Sequence, residues 1–246
     1  MKMLPYCKKN TIRQERKKKS RKNNSPMRLG FCIGLLILIA SCTSKEEKKH
    51  VLPFIGNFDI EYKLVDGVEV TDTVYPTVPY FYFRNQDSVL VKSTDMKGKV
   101  WIADFFFTTC PTICPTMTKN LKALNDATQD LKKDVQFMSI SINPDHDTPS
   151  VLKKYKKYHG ITATNWQFFC GDEEETHTLG IENFQIFAGR DDEAEGGYAH
   201  SGAFTLVDKE GYVRGVYLGT DKKQVEQLEK DLRLLLKEEY GIDGSK

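Results

Sequence analysis

Two cysteines, Cys110 and Cys114, lie four residues apart in the segment CPTICP at residues 110–115. An apolar run over residues 100–107 predicts a buried strand before them, and the apolar spacing over residues 115–131 predicts a helix after them. At such a strand-to-helix turn, backbone N–H groups and the helix dipole lower the pKa of a thiol. The pair therefore predicts binding of a soft metal ion, Cu(I) or Zn, or thiol–disulfide exchange, with a structural disulfide as the plain alternative.

A third candidate ligand is His200, which stands in the segment GGYAHSG directly before a predicted strand over residues 203–208. In a thioredoxin fold, the loop that enters this strand faces the dithiol and normally carries a proline. This chain has no proline there and has an imidazole instead. The substitution favours a metal site of two cysteines and one histidine over a generic dithiol oxidoreductase.

The other histidines and sulfur-bearing side chains are predicted to be structural. His146 lies between Asp145 and Asp147. The presence of these two acids is explained by their favourable interaction with the N-terminus of the following helix. Met117, one turn beyond Cys114, is predicted to face the core, although a thioether also suits copper. Cys170 precedes a glycine at the end of a strand and is predicted to be a buried thiol. No ligand role is predicted for His50 in the tether, His159 at a helix end or His177 on a polar helix face.

The remaining elements follow an α/β pattern. Asp66-Gly67 predicts the turn of a hairpin near the start of the exported chain. Strands are predicted over residues 59–65, 68–75, 80–84, 88–92, 135–142, 166–169, 203–208 and 212–217, helices over 149–159, 173–183 and 222–239, and an acidic loop over 190–197. This order predicts a central mixed β-sheet flanked by helices. A dithiol that opens the first helix after a core strand is the thioredoxin arrangement, so we expect a thioredoxin-like fold with an N-terminal β-hairpin extension.

The N-terminus has the pattern of a lipoprotein signal peptide. Residues 1–28 carry eleven Lys or Arg and one acid, and residues 29–40 are uncharged and apolar. This apolar run is shorter than the ~20 residues of a membrane-spanning helix. Small residues precede Cys42 and a polar run follows it, so residues 1–41 are predicted to be removed and Cys42 to become the lipidated first residue. Met27 is an alternative start.

Removal of this leader changes the charge of the protein. The full chain has 36 Lys or Arg and 34 Asp or Glu, and eleven of the bases and one of the acids lie in the leader. The exported part therefore has a net charge of about −8, which argues against a nucleic-acid partner. We expect a lipoprotein that is anchored to a membrane and faces the periplasm of a bacterium. Residues 42–56 are predicted to form a flexible tether and residues 57–246 one domain.

Three segments in this order resemble the Sco/SenC family. They are FFFTTCPTICP at residues 105–115, SINPDHDTP at 141–149, and HS at 200–201 followed by LVDKEG at 206–211. The resemblance covers roughly residues 75–238. It implies a thioredoxin-like fold, membrane tethering and a role in assembling the binuclear copper centre of cytochrome c oxidase.

The resemblance also implies the ligands. By motif position, Cys110, Cys114 and His200 would bind one copper ion per chain, as Cu(I) or Cu(II). The same two cysteines would form a disulfide in the oxidised protein. The implied partner is the copper-bearing subunit of cytochrome c oxidase or another copper protein, and we expect the chain to act as a monomer.

The chain departs from the family pattern at three positions. It has Thr112 and Ala199 where relatives often have an acid, and His146 where they tend to have an arginine. A second hypothesis stays open, in which the protein is a thiol–disulfide oxidoreductase that keeps a partner's cysteines reduced. In that mechanism Cys110 attacks the partner disulfide and Cys114 resolves the mixed disulfide.

Overall fold

The computed structural model describes residues 50–244, and the predicted signal peptide and Cys42 lie outside this range. The strands of the described part are β1 (Asp59–Val65), β2 (Val68–Val74), β3 (Tyr82–Asn85), β4 (Leu90–Lys92), β5 (Val100–Phe106), β6 (Val135–Ser141), β7 (Trp166–Cys170), β8 (Ala188–Arg190), β9 (Tyr198–His200), β10 (Ala203–Val207) and β11 (Val213–Leu218). Its α-helices are α1 (Cys114–Ala127), α2 (Pro149–Tyr158), α3 (Glu173–Thr178) and α4 (Lys222–Tyr240).

Seven of these strands form the central sheet, in the order β11-β10-β5-β6-β7-β3-β4. Strands β5, β6 and β7 are parallel, whereas β10 and β3 run antiparallel to their neighbours in the middle of the sheet. The predicted mixed sheet with flanking helices and the thioredoxin-like fold are therefore confirmed. The predicted N-terminal hairpin is also present, as the separate sheet β1–β2.

The central strands explain where the candidate site lies. Every residue of β5 and β6 is buried, as expected for strands in the middle of a sheet that is covered on both faces. The side chains of Phe105 in β5 and Phe137 in β6, for example, have no exposed surface. In open α/β sheets, functional groups gather in the loops beyond the carboxyl ends of parallel strands. The CPTICP segment follows the carboxyl end of β5, so it lies at that edge.

Two local features differ from the sequence-based expectations. The acidic loop predicted over residues 190–197 is flanked by the short strands β8 and β9, which pair as a third sheet. Strands of three residues are too short to show an alternating pattern, so the sequence did not reveal them. The helix predicted over residues 173–183 is α-helical only to Thr178 and continues as a π-helix over Leu179–Asn183.

The chain just before the β1–β2 hairpin is held against the domain by Arg214, whose side chain is fully buried. Its guanidinium group pairs with Asp208 at 2.9 Å and with Glu239 at 2.6 Å. It also donates hydrogen bonds to the carbonyl oxygens of Leu52 and Pro53, at 2.6 and 3.2 Å. One buried cation therefore joins β11, the end of α4 and the incoming N-terminal segment.

Further contacts extend this attachment to the first described residue. His50 Nδ1 lies 3.0 Å from a carboxylate oxygen of Glu239, and the Val51 N–H donates to the other oxygen at 2.9 Å. Burial raises the pKa of Glu239, but hydrogen bonds from Arg214 and these two neighbours outweigh it and lower the pKa to about 2. The second half of the predicted tether thus packs on the domain, and residues 42–49 lie outside the described range.

We expect Arg214→Met to destabilise the domain by about 3–5 kcal/mol, because it leaves Glu239 and Asp208 buried without their cation. Urea unfolding at pH 7 measures this change. The matched control is Arg233→Met, since Arg233 also contacts two carboxylates but is 21% exposed. This control should cost at most about 1 kcal/mol. Equal losses in the two variants would contradict the role given to Arg214.

Candidate metal centre

The two cysteines lie at the junction of β5 and α1. Cys110 is in the connecting loop, and Cys114 is the first residue of the helix, with Pro115 at the second position. Proline suits this position because the first turn of a helix has no intrahelical partner for its N–H groups. Both thiols are largely buried, with Cys110 7% exposed and Cys114 1% exposed. The sequence therefore places both sulfurs at a helix N-terminus and shields them from water.

His200 reaches the same point from the other side, at the end of β9. Its Nε2 lies 3.2 Å from the sulfur of Cys114. The ligand atoms of Cys110, Cys114 and His200 all lie within 4.8 Å of one another. The other ring nitrogen, Nδ1, is buried and has no hydrogen-bond partner among the described residues. The three predicted ligands are thus brought together around one point.

The two thiols have opposite pKa shifts. A hydrogen bond from the Cys114 thiol, together with His200 and nearby backbone N–H groups, lowers the pKa of Cys110 to about 3 despite its burial. The Cys110 sulfur and burial raise the pKa of Cys114 far above its usual range. The two directions mean that Cys110 ionises first and that the proton on Cys114 is the harder one to remove.

The loop between β8 and β9 covers the dithiol closely. Gly196 has φ +88°, and a Cβ atom there would come within 2.7 Å of the Phe107 ring. Gly202 has φ +69°, and a Cβ atom there would lie 3.0 Å from the Ile113 side chain. Larger residues at these positions would separate the loop from the cysteines. The two glycines therefore allow His200 to approach Cys114 as closely as it does.

A small cavity of about 250 Å³ leads to the site. Cys110 and His200 line it, together with Phe107, Thr112, Glu195 and Tyr198 among others. Cys114 does not line this cavity, in agreement with its deeper burial. Any metal ion or partner thiol that enters from this side therefore meets Cys110 and His200 first.

The buried carboxylate of Asp147 holds the loop that carries Cys110. It accepts a hydrogen bond from the Thr108 N–H at 2.9 Å, and a second one from the Thr108 hydroxyl. It also accepts from Ser141 at 2.6 Å, while His146 Nδ1 lies 2.9 Å from its other oxygen. Sequence reasoning explained this acidic segment by helix-start electrostatics and missed its contact with the cysteine loop. That contact joins positions 39 residues apart and has no signal in the local sequence.

Strand β9 is anchored by Tyr198 and Arg190. The Tyr198 hydroxyl donates to Asn143 at 3.3 Å, and its ring packs 5.5 Å from Phe107. The Arg190 guanidinium group lies over the Tyr198 ring, 5.5 Å from its centroid, and forms an ion pair with Glu173 at 2.8 Å. These contacts attach the short β8–β9 sheet to α3 and to the loop after β6. They fix the strand that carries His200.

Beneath the site, Asp104 is a buried acid in the middle of β5. Burial raises its pKa to about 7, although Ser139 donates a hydrogen bond to it at 2.6 Å. The Ser139 hydroxyl in turn accepts from the indole of Trp166 at 2.9 Å. When Asp104 is charged, it raises the pKa of Cys114 further. Asp104 is the one acid in the near-continuously apolar run over residues 100–107, a signal in the sequence that no predicted role explained.

The remaining sequence candidates lie apart from this centre or pack in the core. Met117 is 1% exposed and belongs to the core. His177 contacts the Ile142 carbonyl at 2.9 Å, and the His159 ring packs 4.3 Å from that of Tyr155. Cys170 is only half-buried, with its thiol directed at the Arg84 carbonyl at 3.8 Å.

Comparison with known proteins now identifies the family. The sequence model of the family SCO1/SenC matches residues 70–237. The chain belongs to the SCO1/SenC family. It is 32% identical over 168 residues to the "SCO1 protein homolog" of Bacillus subtilis (strain 168), covering 68% of this chain and 86% of the relative.

Solved structures agree with this assignment. A SCO1/SenC family lipoprotein from Bacillus anthracis str. Ames is 36% identical, with a TM-score of 0.59 over 65% of this chain and 94% of the relative. BsSco is described as a member of the Sco family of cytochrome c oxidase assembly proteins with a disulfide switch. It is 32% identical to this chain, with a TM-score of 0.57, and the match covers 63% of this chain and 91% of BsSco. Within the described part of this SCO1/SenC protein, no helix is long and apolar enough to cross a bilayer.

The low pKa of Cys110 predicts its reactivity. In the reduced protein, we expect iodoacetamide to modify Cys110 at nearly the same rate at pH 5 and pH 7, because the thiolate persists down to about pH 4. An ordinary thiol slows about tenfold for each pH unit below its pKa of about 8.5. Cys170, whose pKa is raised by burial, is the internal reference. Mass spectrometry of the modified peptides measures both rates, and a steep fall for Cys110 would contradict the assignment.

Proposed function

We propose that this protein is an exported copper metallochaperone. Cys110, Cys114 and His200 bind one copper ion per chain, and the protein delivers the ion to the copper centre of cytochrome c oxidase. The observation that carries the proposal is the convergence of two sulfurs and one imidazole nitrogen within 4.8 Å. Membership of the SCO1/SenC family supports the same function.

The donor set fits copper. Thiolate sulfur is a soft ligand that selects Cu(I), and imidazole suits both copper oxidation states. His200 presents Nε2 to the sulfurs, which is the atom that would complete the site. The burial of Cys114 keeps water away from that sulfur. The chain therefore supplies three ligands without a carboxylate among them.

The two pKa shifts affect metal binding in opposite ways. Cys110 ionises readily, so the proton on Cys114 is the one that resists removal when both sulfurs become ligands. Oxidation of the pair to a disulfide removes two electrons and this proton, and it eliminates both sulfur donors. Copper retention and the redox state of the dithiol are thus linked.

Delivery to a partner would begin at the cavity. Cys110 and His200 line it and Cys114 does not, so an incoming partner thiol would replace Cys110 or His200 first. Cys114 would hold the ion until exchange is complete. This order needs no large movement of α1, whose first residue is Cys114.

A thiol–disulfide oxidoreductase is the second candidate function. The lowered pKa of Cys110 and the buried resolving position of Cys114 favour it. BsSco, at 32% identity, is described as having a disulfide switch, which supports a redox-active pair in this chain as well. In this alternative His200 would take no part in the exchange steps and would act only by lowering the pKa of Cys110.

Copper titration separates the two functions. We expect the reduced chain from residue 43 to bind about one Cu(I) per chain, and His200→Ala to weaken retention at least tenfold. Cys110→Ser/Cys114→Ser should abolish binding. His159→Ala, which removes an imidazole outside the site, is the matched control and should bind as the parent does. Anaerobic competition with a chromophoric Cu(I) chelator measures the affinities. Unchanged retention in His200→Ala, with disulfide reduction intact, would favour the oxidoreductase.

Membrane attachment through Cys42 belongs to the same proposal. The sequence around Cys42 and the 36% identical lipoprotein of Bacillus anthracis support it. We expect Cys42→Ala to abolish incorporation of labelled fatty acid and to release the exported chain from the membrane fraction. Cys170→Ala is the matched control and should remain lipidated. Fatty-acid labelling that persists in Cys42→Ala would exclude this anchor.

A further inference from the structure

The β1–β2 hairpin is exposed along its whole length. Every residue of both strands is exposed, and the hairpin pairs with no other strand of the described chain. One face of β1 carries Ile60, Tyr62 and Leu64, which are 53%, 68% and 77% exposed. A two-stranded hairpin with a solvated apolar face is marginally stable in water by itself. Additional strands beside it would therefore stabilise the hairpin.

The free edge of β1 has defined hydrogen-bonding groups. The turn consists of Asp66 and Gly67, both with positive φ, and the flanking Val65 faces Val68. In a two-residue hairpin this flanking pair is hydrogen-bonded, and hydrogen-bonded positions then alternate along the strand. Ile60 and its two alternate neighbours, residues 62 and 64, consequently direct their backbone N–H and C=O groups away from β2. The apolar side chains and the unpaired backbone groups belong to the same three residues.

The sequence of β1 is complementary to itself in one antiparallel arrangement. When two copies pair about a two-fold axis at Tyr62, Ile60 of one chain faces Leu64 of the other. Glu61 then faces Lys63 of the second copy, and Lys63 faces the second Glu61. The groups directed away from β2 in one chain meet the same groups in the other. Both ion pairs fall at non-hydrogen-bonded positions, where facing side chains are closest.

Neighbouring arrangements are unfavourable. A two-fold axis at Glu61 would set two carboxylates against each other, and an axis at Lys63 would do the same with two ammonium groups. Both would keep the outward backbone groups paired, so the like-charged central pair is what disfavours these two registers. On β2, an axis at Thr71 would place Val70 against Asp72 and gives no ion pair. The charges on β1 thus select one partner strand and one register, as charged edge strands do.

We propose that a second copy of this chain docks on β1 and forms a four-stranded antiparallel sheet, β2-β1-β1-β2. The interface is isologous, because the same residues of both copies meet. It joins the apolar side chains of the two β1 strands into one strip. The proposal replaces the sequence-based expectation of a monomer and does not depend on copper binding.

Charge reversal at the interface tests the proposal. We expect the exported chain from residue 43 to dimerise with increasing concentration in sedimentation velocity. Glu61→Lys and Lys63→Glu should each weaken self-association about tenfold, since facing charges become alike. An equimolar mixture of the two variants should form heterodimers. The double variant Glu61→Lys/Lys63→Glu should recover self-association, because it restores opposite charges across the two-fold axis. Heterodimers in the mixture also show that loss in a single variant is not unfolding of the hairpin, because each chain there still lacks its own Lys63–Glu61 pair.

A cross-linking experiment fixes the register. In a background with Cys110, Cys114 and Cys170 replaced by serine, Tyr62→Cys should form an intermolecular disulfide, because hydrogen-bonded partners have Cα atoms ~5.5 Å apart. Thr71→Cys, which faces Tyr62 on β2 of the same hairpin, is the matched control and should cross-link far less. A monomer at all concentrations would overturn the proposal. So would association that neither charge reversal affects, or equal cross-linking at the two positions.

Discussion

The antiparallel pairing of β10 with β5 is the constraint on which the metal centre depends. In this register Phe204 lies beside Asp104, so the chain that enters β10 runs past the carboxyl end of β5. The cysteines follow β5 and His200 precedes β10, and this pairing brings them together although 86 residues separate Cys114 from His200. A central sheet that is buried on both faces cannot shift its register without exposing apolar side chains. The positions of the ligands are therefore set by the hydrophobic core.

Polar contacts refine what the sheet determines. Asp147 ties the cysteine loop to the segment after β6, and Tyr198 and Arg190 tie the histidine strand to the same region and to α3. Buried hydrogen bonds of this kind hold each loop in a single conformation. A metal centre requires such fixed ligand positions. The close approach at Gly196 serves the same end, because the backbone there packs directly against the Phe107 ring.

The cavity at the candidate site and the exposed β1–β2 hairpin are formed by different elements of the fold. The site opens through a small cavity beside Cys110. Arg214, which holds the N-terminal segment, lies near the first residue of β11. The β1–β2 hairpin projects from that segment and shares no strand pairing with the central sheet. A partner that approaches the dithiol and a second copy that approaches the hairpin therefore use separate elements of the fold.

The sequence by itself predicted the central strands, most of the helices and the three residues that converge at the candidate site. Long apolar runs such as β5 and β6 predict buried strands because burial on both faces admits few other residues, and a proline after Cys114 indicates a helix start. The Asp66-Gly67 turn similarly specified the hairpin. Only the tertiary structure decided that Asp147 supports the cysteine loop, that Asp104 lies beneath it, and that the segment 50–55 packs on Arg214. These interactions join residues that are distant in the chain, and a buried charge is accepted only where the fold supplies its partners. Local sequence patterns indicate the secondary structure and burial that a residue favours, whereas its partners in distant segments follow from the tertiary fold.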